Sequence, residues 1–237
     1  MCVCARVCRR RVVKCRRAMD VVFLVDCSDA KADEDAWNST LRFVDDAVSD
    51  IGPRSGGSHV ALALFGDDQT VVVVRKLDDQ PLHAVVGNPS TTTCPGRGRD
   101  RSRSLRTVFS NTDGDRPDVP DVLVLIAGRA GVDGVEAAAE SLKEDGITIV
   151  TVALGTSEQI LHQLLRLASS VDDAEKLVVA RADHYRVLLP TLVNVLCRTV
   201  DTGQFCILSF SLQYAHGGYD FYDVLFNVDI LLYLQLQ

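Results

Sequence analysis

The stretch Asp20-Val-Val-Phe-Leu-Val-Asp26 is a run of five apolar residues with a carboxylate at each end. A short, continuous apolar run of this kind is typical of a strand that is buried on both faces of a sheet. The pattern then changes, because from Asp33 to Ile51 the apolar residues recur every three or four positions. That period predicts an amphipathic helix, and Gly52-Pro53 marks its end.

The alternation of strand and helix patterns continues to about residue 200. Further strands are predicted at Val60–Phe65, Val71–Arg75, Val122–Ile126, Thr148–Ala153 and Leu177–Ala180. Helices are predicted at Leu105–Phe109, from about Val132 to Glu144, from a Ser157 cap to Ser169, and over Pro190–Cys197, where proline is tolerated if it sits in the first turn. These elements predict an α/β fold: a doubly wound, mostly parallel central sheet with one antiparallel edge strand and helices on both faces. In such a sheet, ligands bind where the loops at the carboxyl ends of the strands converge.

The charge balance excludes some classes of partner. The 237 residues carry a net charge of −7, with basic residues concentrated in the first 17 positions and between Arg97 and Arg106. This acidic balance argues against nucleic acid or an anionic membrane as the main partner. No run of about 20 uncharged apolar residues is present, so no membrane span is predicted. Arginines interrupt the apolar residues at the N-terminus, so no signal peptide is recognised, which fits a fragment of a longer protein.

Several separated blocks of the chain resemble the von Willebrand factor A-type domain in order and spacing. They are the opening strand with its Asp26-Cys-Ser28, Ile51–Pro53, Val60–Asp68, Gly114–Ile126 and Gly146–Gly155. The resemblance covers roughly Met19 to Arg198, and extracellular-matrix members, type VI collagen in particular, are the most similar in kind. It implies three parts: a basic, Cys-rich tail at 1–18, the Rossmann-like A domain at 19–200, and an apolar C-terminal tail at 201–237.

The resemblance also implies a metal-ion-dependent adhesion site, whose pattern after the first strand is Asp-x-Ser-x-Ser. Here the pattern reads Asp26-Cys-Ser28-Asp-Ala30, so the third hydroxyl is missing. Arg97 stands where the family's second loop has a threonine, and Gly128 stands where its third loop has an aspartate. Mg²⁺ requires six oxygens in nearly octahedral order, and Asp26 with Ser28 does not supply them. The expectation is a vestigial metal site and no cofactor, Mg²⁺ included.

Two interpretations of Arg97 stay open. In one, its guanidinium replaces the metal ion and pairs with Asp26; in the other, it is a solvated loop residue. Asp29 and Asp133 are further carboxylates that could rescue a weak cation site. The basic stretch Arg97–Arg106 is either a solvated loop or a contact for an acidic partner.

The eight cysteines permit one or two disulfides in a domain of this size. By the resemblance, Cys15 and Cys197 flank the domain and are the candidate pair for a bridge between its two ends. Such a bridge would stabilise the fold by about 4 kcal/mol in the chain-entropy model. Cys206 is a competing partner, unpaired thiols are the alternative, and Cys27 is expected simply to be buried.

The function that the resemblance implies is a non-catalytic, metal-independent interaction or adhesion module of an extracellular-matrix or cell-surface protein. No catalytic residue is expected. The implied partners are matrix or cell-surface proteins or a second copy of the chain, and the implied location is extracellular. Three alternatives stay open: a metal-dependent adhesion receptor with a rescued cation site, an intracellular assembly module of the same family, and an enzyme built on the same sheet.

Overall fold

A computed structural model of the chain describes most of the region between residues 15 and 200. The described residues are 15, 17–28, 30, 32–52, 57–65, 71–78, 115–128, 136–154, 158–169, 177–180 and 185–200. The predicted helical stretch Leu105–Phe109, the basic stretch Arg97–Arg106 and the tail at 201–237 lie outside them, as do most of the tail at 1–18 and the predicted cap Ser157.

The described strands are β1 (Asp20–Asp26), β2 (His59–Phe65), β3 (Val71–Asp78), β4 (Asp121–Ala127), β5 (Thr148–Leu154) and β6 (Leu177–Ala180). They form one sheet in the order β3-β2-β1-β4-β5-β6, in which β3 alone is antiparallel to its neighbour. The chain adds strands first on one side of β1 and then on the other. This reversal defines a doubly wound sheet, so the predicted fold class is confirmed.

The described helices are α1 (Glu34–Ile51), α2 (Glu136–Glu144), α3 (Glu158–Leu167) and α4 (Tyr185–Val200). Alternate residues of β1 point to opposite faces of the sheet and join two separate cores. Val21, Phe23 and Val25 belong to the core formed with α1 and α4. Val22 and Leu24 belong to the core formed with α2 and α3. Because β1 is buried on both faces, its sequence is continuously apolar.

Helix α1 has a specific signal at each end. The carboxylate of Asp33, at the N-cap, accepts a hydrogen bond from the backbone N–H of Ala36 at 2.9 Å. At the other end, Gly52 adopts a φ of +69° and donates its N–H to the carbonyl of Val48 at 2.9 Å. Glycine adopts this left-handed conformation without the strain that a Cβ atom would cause. These two caps explain why the predicted and observed bounds of α1 agree closely.

Helix α4 contains the predicted residues Pro190–Cys197 and begins before them. It begins at Tyr185, so Pro190 lies in the second turn and not in the first. Proline has no N–H for the carbonyl four residues earlier, which disfavours this position inside a helix. Pro190 itself is exposed. The prediction that Pro190–Cys197 belongs to the last helix is confirmed, but its condition of a first-turn proline is not met. The helix is held by apolar residues on both sides of Pro190, including Leu188 and Leu192.

Candidate functional site at the carboxyl edge of the sheet

The parallel strands β1, β2 and β4 end at one edge of the sheet, which we call the carboxyl edge. Val25 of β1 is in register with Ile126 of β4, so the loops that follow these strands leave the sheet side by side. The backbone N–H of Cys27 donates to the carbonyl of Phe65 at 2.8 Å, which holds the first loop against the end of β2. This edge is the topological switch point at which doubly wound sheets bind ligands.

Asp26 and Ser28, the predicted remnant of the metal site, contact each other. Oδ1 of Asp26 accepts hydrogen bonds from the backbone N–H of Ser28 at 2.9 Å and from its hydroxyl at 2.5 Å. The N–H of Ala30 donates to the carbonyl of Cys27 at 3.0 Å and closes the turn. A carboxylate that bonds the N–H two residues further on is a common turn device. Asp26 and Ser28 therefore stabilise the conformation of the loop through their own hydrogen bonds, a role that does not involve a metal ion.

The other ligand positions implied by the resemblance supply no side-chain oxygen in the described residues. Ala30 and Gly128 are both in the described part of the edge. A Cβ atom placed on Gly128 would lie 3.4 Å from Cβ and 3.5 Å from the carbonyl oxygen of Leu154, which are ordinary contacts. The third loop therefore tolerates a Cβ atom at this position, where the family's aspartate is replaced by Gly128. Arg97, Asp29 and Asp133 lie outside the described residues, so the pairing of Arg97 with Asp26 stays a prediction.

The family model for the von Willebrand factor type A domain matches residues 20–189, from the first residue of β1 into α4. This chain belongs to the von Willebrand factor type A domain family. The predicted family is thus confirmed over most of the chain.

Two curated human relatives of this A domain are proteins much longer than the chain itself. The collagen alpha-6(VI) chain is 27% identical over 188 residues, a match that covers 76% of this chain and 8% of the collagen chain. Von Willebrand factor A domain-containing protein 2 is 27% identical over 202 residues, with 79% of this chain and 25% of that protein covered. Relatives of this matrix type support an interaction module and an extracellular setting.

Among solved structures, proximal thread matrix protein 1 from the mussel byssus shares the fold of the A domain. The TM-score is 0.64 at 17% sequence identity, with 78% of this chain and 49% of that chain covered. Another structure of the mussel protein has a zinc-occupied adhesion-site motif. At this identity the likeness shows the fold alone. Among the residues described for the A domain, no helix is long and apolar enough to cross a membrane.

A second polar cluster lies at the opposite edge of the A domain, where the parallel strands begin. Asp20 of β1 is fully buried and is in register with Asp121 of β4. Its carboxylate accepts hydrogen bonds from the backbone N–H and from Nε of Arg116, each at 3.0 Å, and also contacts Nη2 of that guanidinium. Six steps of about 3.3 Å separate Asp20 from Asp26, so the cluster lies about 20 Å from the candidate metal site.

Asp115 completes this cluster, because one carboxylate oxygen each of Asp20, Asp115 and Asp121 lies within 4.8 Å of the others. Carboxylates this close together repel each other, and a nearby cation or a bound proton reduces that repulsion. Here Arg116 supplies the positive charge that a metal ion would otherwise supply. Sequence reasoning missed this cluster. A signal was present, because β1 and β4 are buried strands that each begin with an aspartate, and a buried charge needs a partner.

The structure joins Cys15 to Cys197 by a disulfide, with a Cα–Cα distance of 4.7 Å and a sequence separation of 182. Both cysteines pack against the core on the side of α1 and α4. Cys15 precedes β1 and Cys197 lies near the end of α4, so the bridge ties the two ends of the A domain together.

Cys27 is also disulfide-bonded, a feature that sequence reasoning missed. It is 1% exposed and lies between Asp26 and Ser28, so this bond fixes the first loop of the candidate site. Cys15 and Cys197 are bonded to each other, so the partner of Cys27 lies outside the described residues. The cysteines there are at positions 2, 4, 8, 94 and 206.

We expect peptide mapping of the non-reduced protein to find Cys27 cross-linked to one of these five cysteines. Alkylation before digestion blocks free thiols, and mass spectrometry before and after reduction then identifies the linked peptides. The Cys15–Cys197 pair, detected in the same digest, is the internal control. An alkylated Cys27 in unreduced protein that retains the control pair would contradict this expectation.

Proposed function

We propose that this chain carries a non-catalytic protein-interaction domain, spanning about residues 19–200, that binds its partners without a bridging metal ion. The observation that carries the proposal is the pairing of Asp26 with Ser28 beside Ala30 and Gly128. At these four ligand positions the side chains offer one carboxylate and one hydroxyl, and the hydroxyl already donates to the carboxylate at 2.5 Å.

The chemistry of the missing ion supports this proposal. Mg²⁺ takes six oxygens in nearly octahedral geometry and gives up its water reluctantly. To bind the ion, Asp26 would have to give up its hydrogen bonds within the loop. Few other protein oxygens would then share the coordination of that ion. The proposed position of the Arg97 guanidinium beside Asp26 would neutralise the carboxylate and repel a cation. On this proposal the domain binds its partners without a metal bridge, and the basic stretch Arg97–Arg106 is the candidate contact for an acidic partner.

An extracellular-matrix or cell-surface setting is part of the proposal. Two disulfide-bonded sites, Cys15–Cys197 and Cys27, fit an oxidising compartment and disfavour an intracellular assembly module. The matrix-type relatives point the same way. The proposed partners are therefore matrix or cell-surface proteins or a second copy of the chain.

A metal-dependent adhesion domain is the second candidate, favoured by the zinc-occupied site of the mussel protein that shares the fold. A thermal-shift titration of the full chain with Mg²⁺, Mn²⁺ and Ca²⁺ separates the two candidates. A ligand that binds only the native state raises the melting temperature by mass action. We expect no shift of the wild-type melting temperature at millimolar metal. The full chain is required because a fragment at 19–200 would lack Cys15 and its disulfide.

The matched positive control restores the three lost ligand positions in one variant, Ala30→Ser with Arg97→Thr and Gly128→Asp. A Cβ atom on Gly128 would make only ordinary contacts, so this variant should gain a saturable shift. At a metal concentration 100 times the dissociation constant, the stabilisation would be about 2.7 kcal/mol. A saturable wild-type shift that disappears in Asp26→Asn would establish the metal-dependent candidate instead. A shift that survives Asp26→Asn would place the ion away from the carboxyl edge.

A further inference from the structure

The carboxylate cluster at the start of β1 and β4 has more negative charge than its cation neutralises. Asp20, Asp115 and Asp121 bring three carboxylates to one place, and Arg116 brings one guanidinium. The Nε, the Nη2 and the backbone N–H of Arg116 all bond to Asp20. Asp115 and Asp121 therefore face each other while Arg116 is committed to Asp20. We call these four residues the amino-edge clasp.

Asp121 is the member of the clasp that is least well satisfied. Its Oδ1 atom is buried and has no hydrogen-bond partner in the described structure. A buried carboxylate oxygen without a donor strongly disfavours the ionised form of the group. Burial first, then the charges of Asp115 and Asp20 and a side-chain hydrogen bond with Asp115, raise the pKa of Asp121 to about 7, and Arg116 opposes this rise. A hydrogen bond between two carboxyl groups requires that one of them carry the proton.

The other elements packed near the start of β4 bring little compensating charge. On β2, His59 is in register with Asp20, and its Nδ1 atom is buried without a partner among the described residues. At the ends of α2 and α3, Lys143 bonds Glu140 at 2.8 Å and Arg166 lies 3.8 Å from Glu136. Of the other charged residues described near this end, Arg17, which precedes β1, is basic, and Asp118, Glu144 and Asp145 are acidic.

We propose that the amino-edge clasp is a pH-sensitive lock: a proton held between Asp115 and Asp121 fixes residues 115–120 onto the start of β1 and β4, and loss of this proton to solvent loosens them. The segment 115–120 is otherwise held by Asp20, whose carboxylate bonds Arg116 and whose N–H donates to the carbonyl of Pro120 at 2.9 Å. Deprotonation adds a second unbalanced charge beside these bonds.

The direction of the effect follows from the two states of Asp121. Its ordinary pKa is 3.8, and the native structure raises it to about 7, so the folded protein binds this proton more tightly than the unfolded chain. Tighter proton binding by the native state means that stability falls as pH rises. The stabilisation is complete below pH 3.8 and is lost as the pH rises through 7. Between pH 5.5 and pH 8.5 the domain should therefore become less stable.

The test compares melting temperatures of the wild type, Asp121→Asn and Asp118→Asn at pH 5.5 and pH 8.5 and constant ionic strength. We expect the wild type to melt about 4–8 °C higher at pH 5.5 than at pH 8.5. This range uses the usual relation between the free energy of unfolding and the melting temperature for a domain of this size. Asp121→Asn mimics the protonated group, so it should lose this difference and melt above the wild type at pH 8.5. Asp118→Asn makes the same charge change at an exposed position of the same segment and should behave like the wild type.

Equal pH responses in the wild type and Asp121→Asn would overturn the proposal, and so would an Asp118→Asn variant that matches Asp121→Asn. A second measurement does not depend on a variant: carbon NMR of the aspartate carboxyl groups in the wild type. A carboxyl resonance assigned to Asp121 should titrate with a midpoint near 7. A midpoint near the ordinary 3.8 would overturn the proposal even if the variants failed to fold.

Discussion

Replacement of both Cys15 and Cys197 with alanine is expected to lower the free energy of unfolding by about 4–5 kcal/mol. The bridge spans 182 positions, and the chain-entropy model assigns its largest effects to long loops, because the uncrosslinked unfolded chain regains more conformations. Cys197 is 5% exposed in the core between α1 and α4, so alanine there buries no new polar group. For a domain of this size, the melting temperature should fall by about 10–20 °C.

Urea unfolding followed by circular dichroism measures this loss in the double variant against the wild type. The single variants Cys15→Ala and Cys197→Ala are the controls, since either one breaks the same bond and should lose about as much as the double variant. Cys15→Ala also tests Cys206 as a competing partner, because the freed thiol of Cys197 should be found alkylated and not paired. A loss below about 1 kcal/mol in the double variant would show that the bridge hardly constrains the unfolded chain.

The sequence predicts best those elements in which apolar residues recur at a regular spacing and a nearby residue marks where the element ends. Helix α1 has both, since its apolar residues recur at helical spacing and Asp33 and Gly52 cap its ends. Buried strands such as β1 and β4 are equally clear, because they are apolar at every position. Helix α4 shows the limit: the local preference of Pro190 for a first turn is outweighed by buried leucines on both sides of it.

The chemistry of the sites is less predictable, because it depends on residues that are distant in sequence. Asp20 and Arg116 are 96 positions apart, and only the pairing of β1 with β4 brings them together. The bond at Cys27 likewise cannot be read from cysteine spacing, since eight cysteines allow many connectivities. The first loop was accessible to sequence reasoning because Asp26, Ser28 and Ala30 are close neighbours in one motif.

Replacement of Arg116 with alanine is expected to lower the free energy of unfolding by about 3–5 kcal/mol. Asp20 is fully buried and would lose the guanidinium that now bonds it through Nε and Nη2. The same change removes the one cation that lowers the pKa of Asp121, so the repulsion within the clasp should increase. Arg42→Ala, at an exposed position of α1, is the matched control and should change stability by less than about 0.5 kcal/mol.

A double-mutant cycle separates two free energies: the stabilisation that the ion pair provides, and the destabilisation caused by leaving Asp20 buried without a partner. Removal of one partner leaves a buried charge, whereas removal of both leaves none, so Asp20→Asn should recover part of the stability that Arg116→Ala loses. Arg116→Lys should be intermediate, because a single ammonium cannot reproduce the two-point contact of the guanidinium. Urea unfolding at pH 7 measures the four proteins of the cycle and Arg116→Lys. If Asp20→Asn instead added its own full loss to that of Arg116→Ala, the buried carboxylate would depend on other partners, and the clasp would be a set of independent contacts.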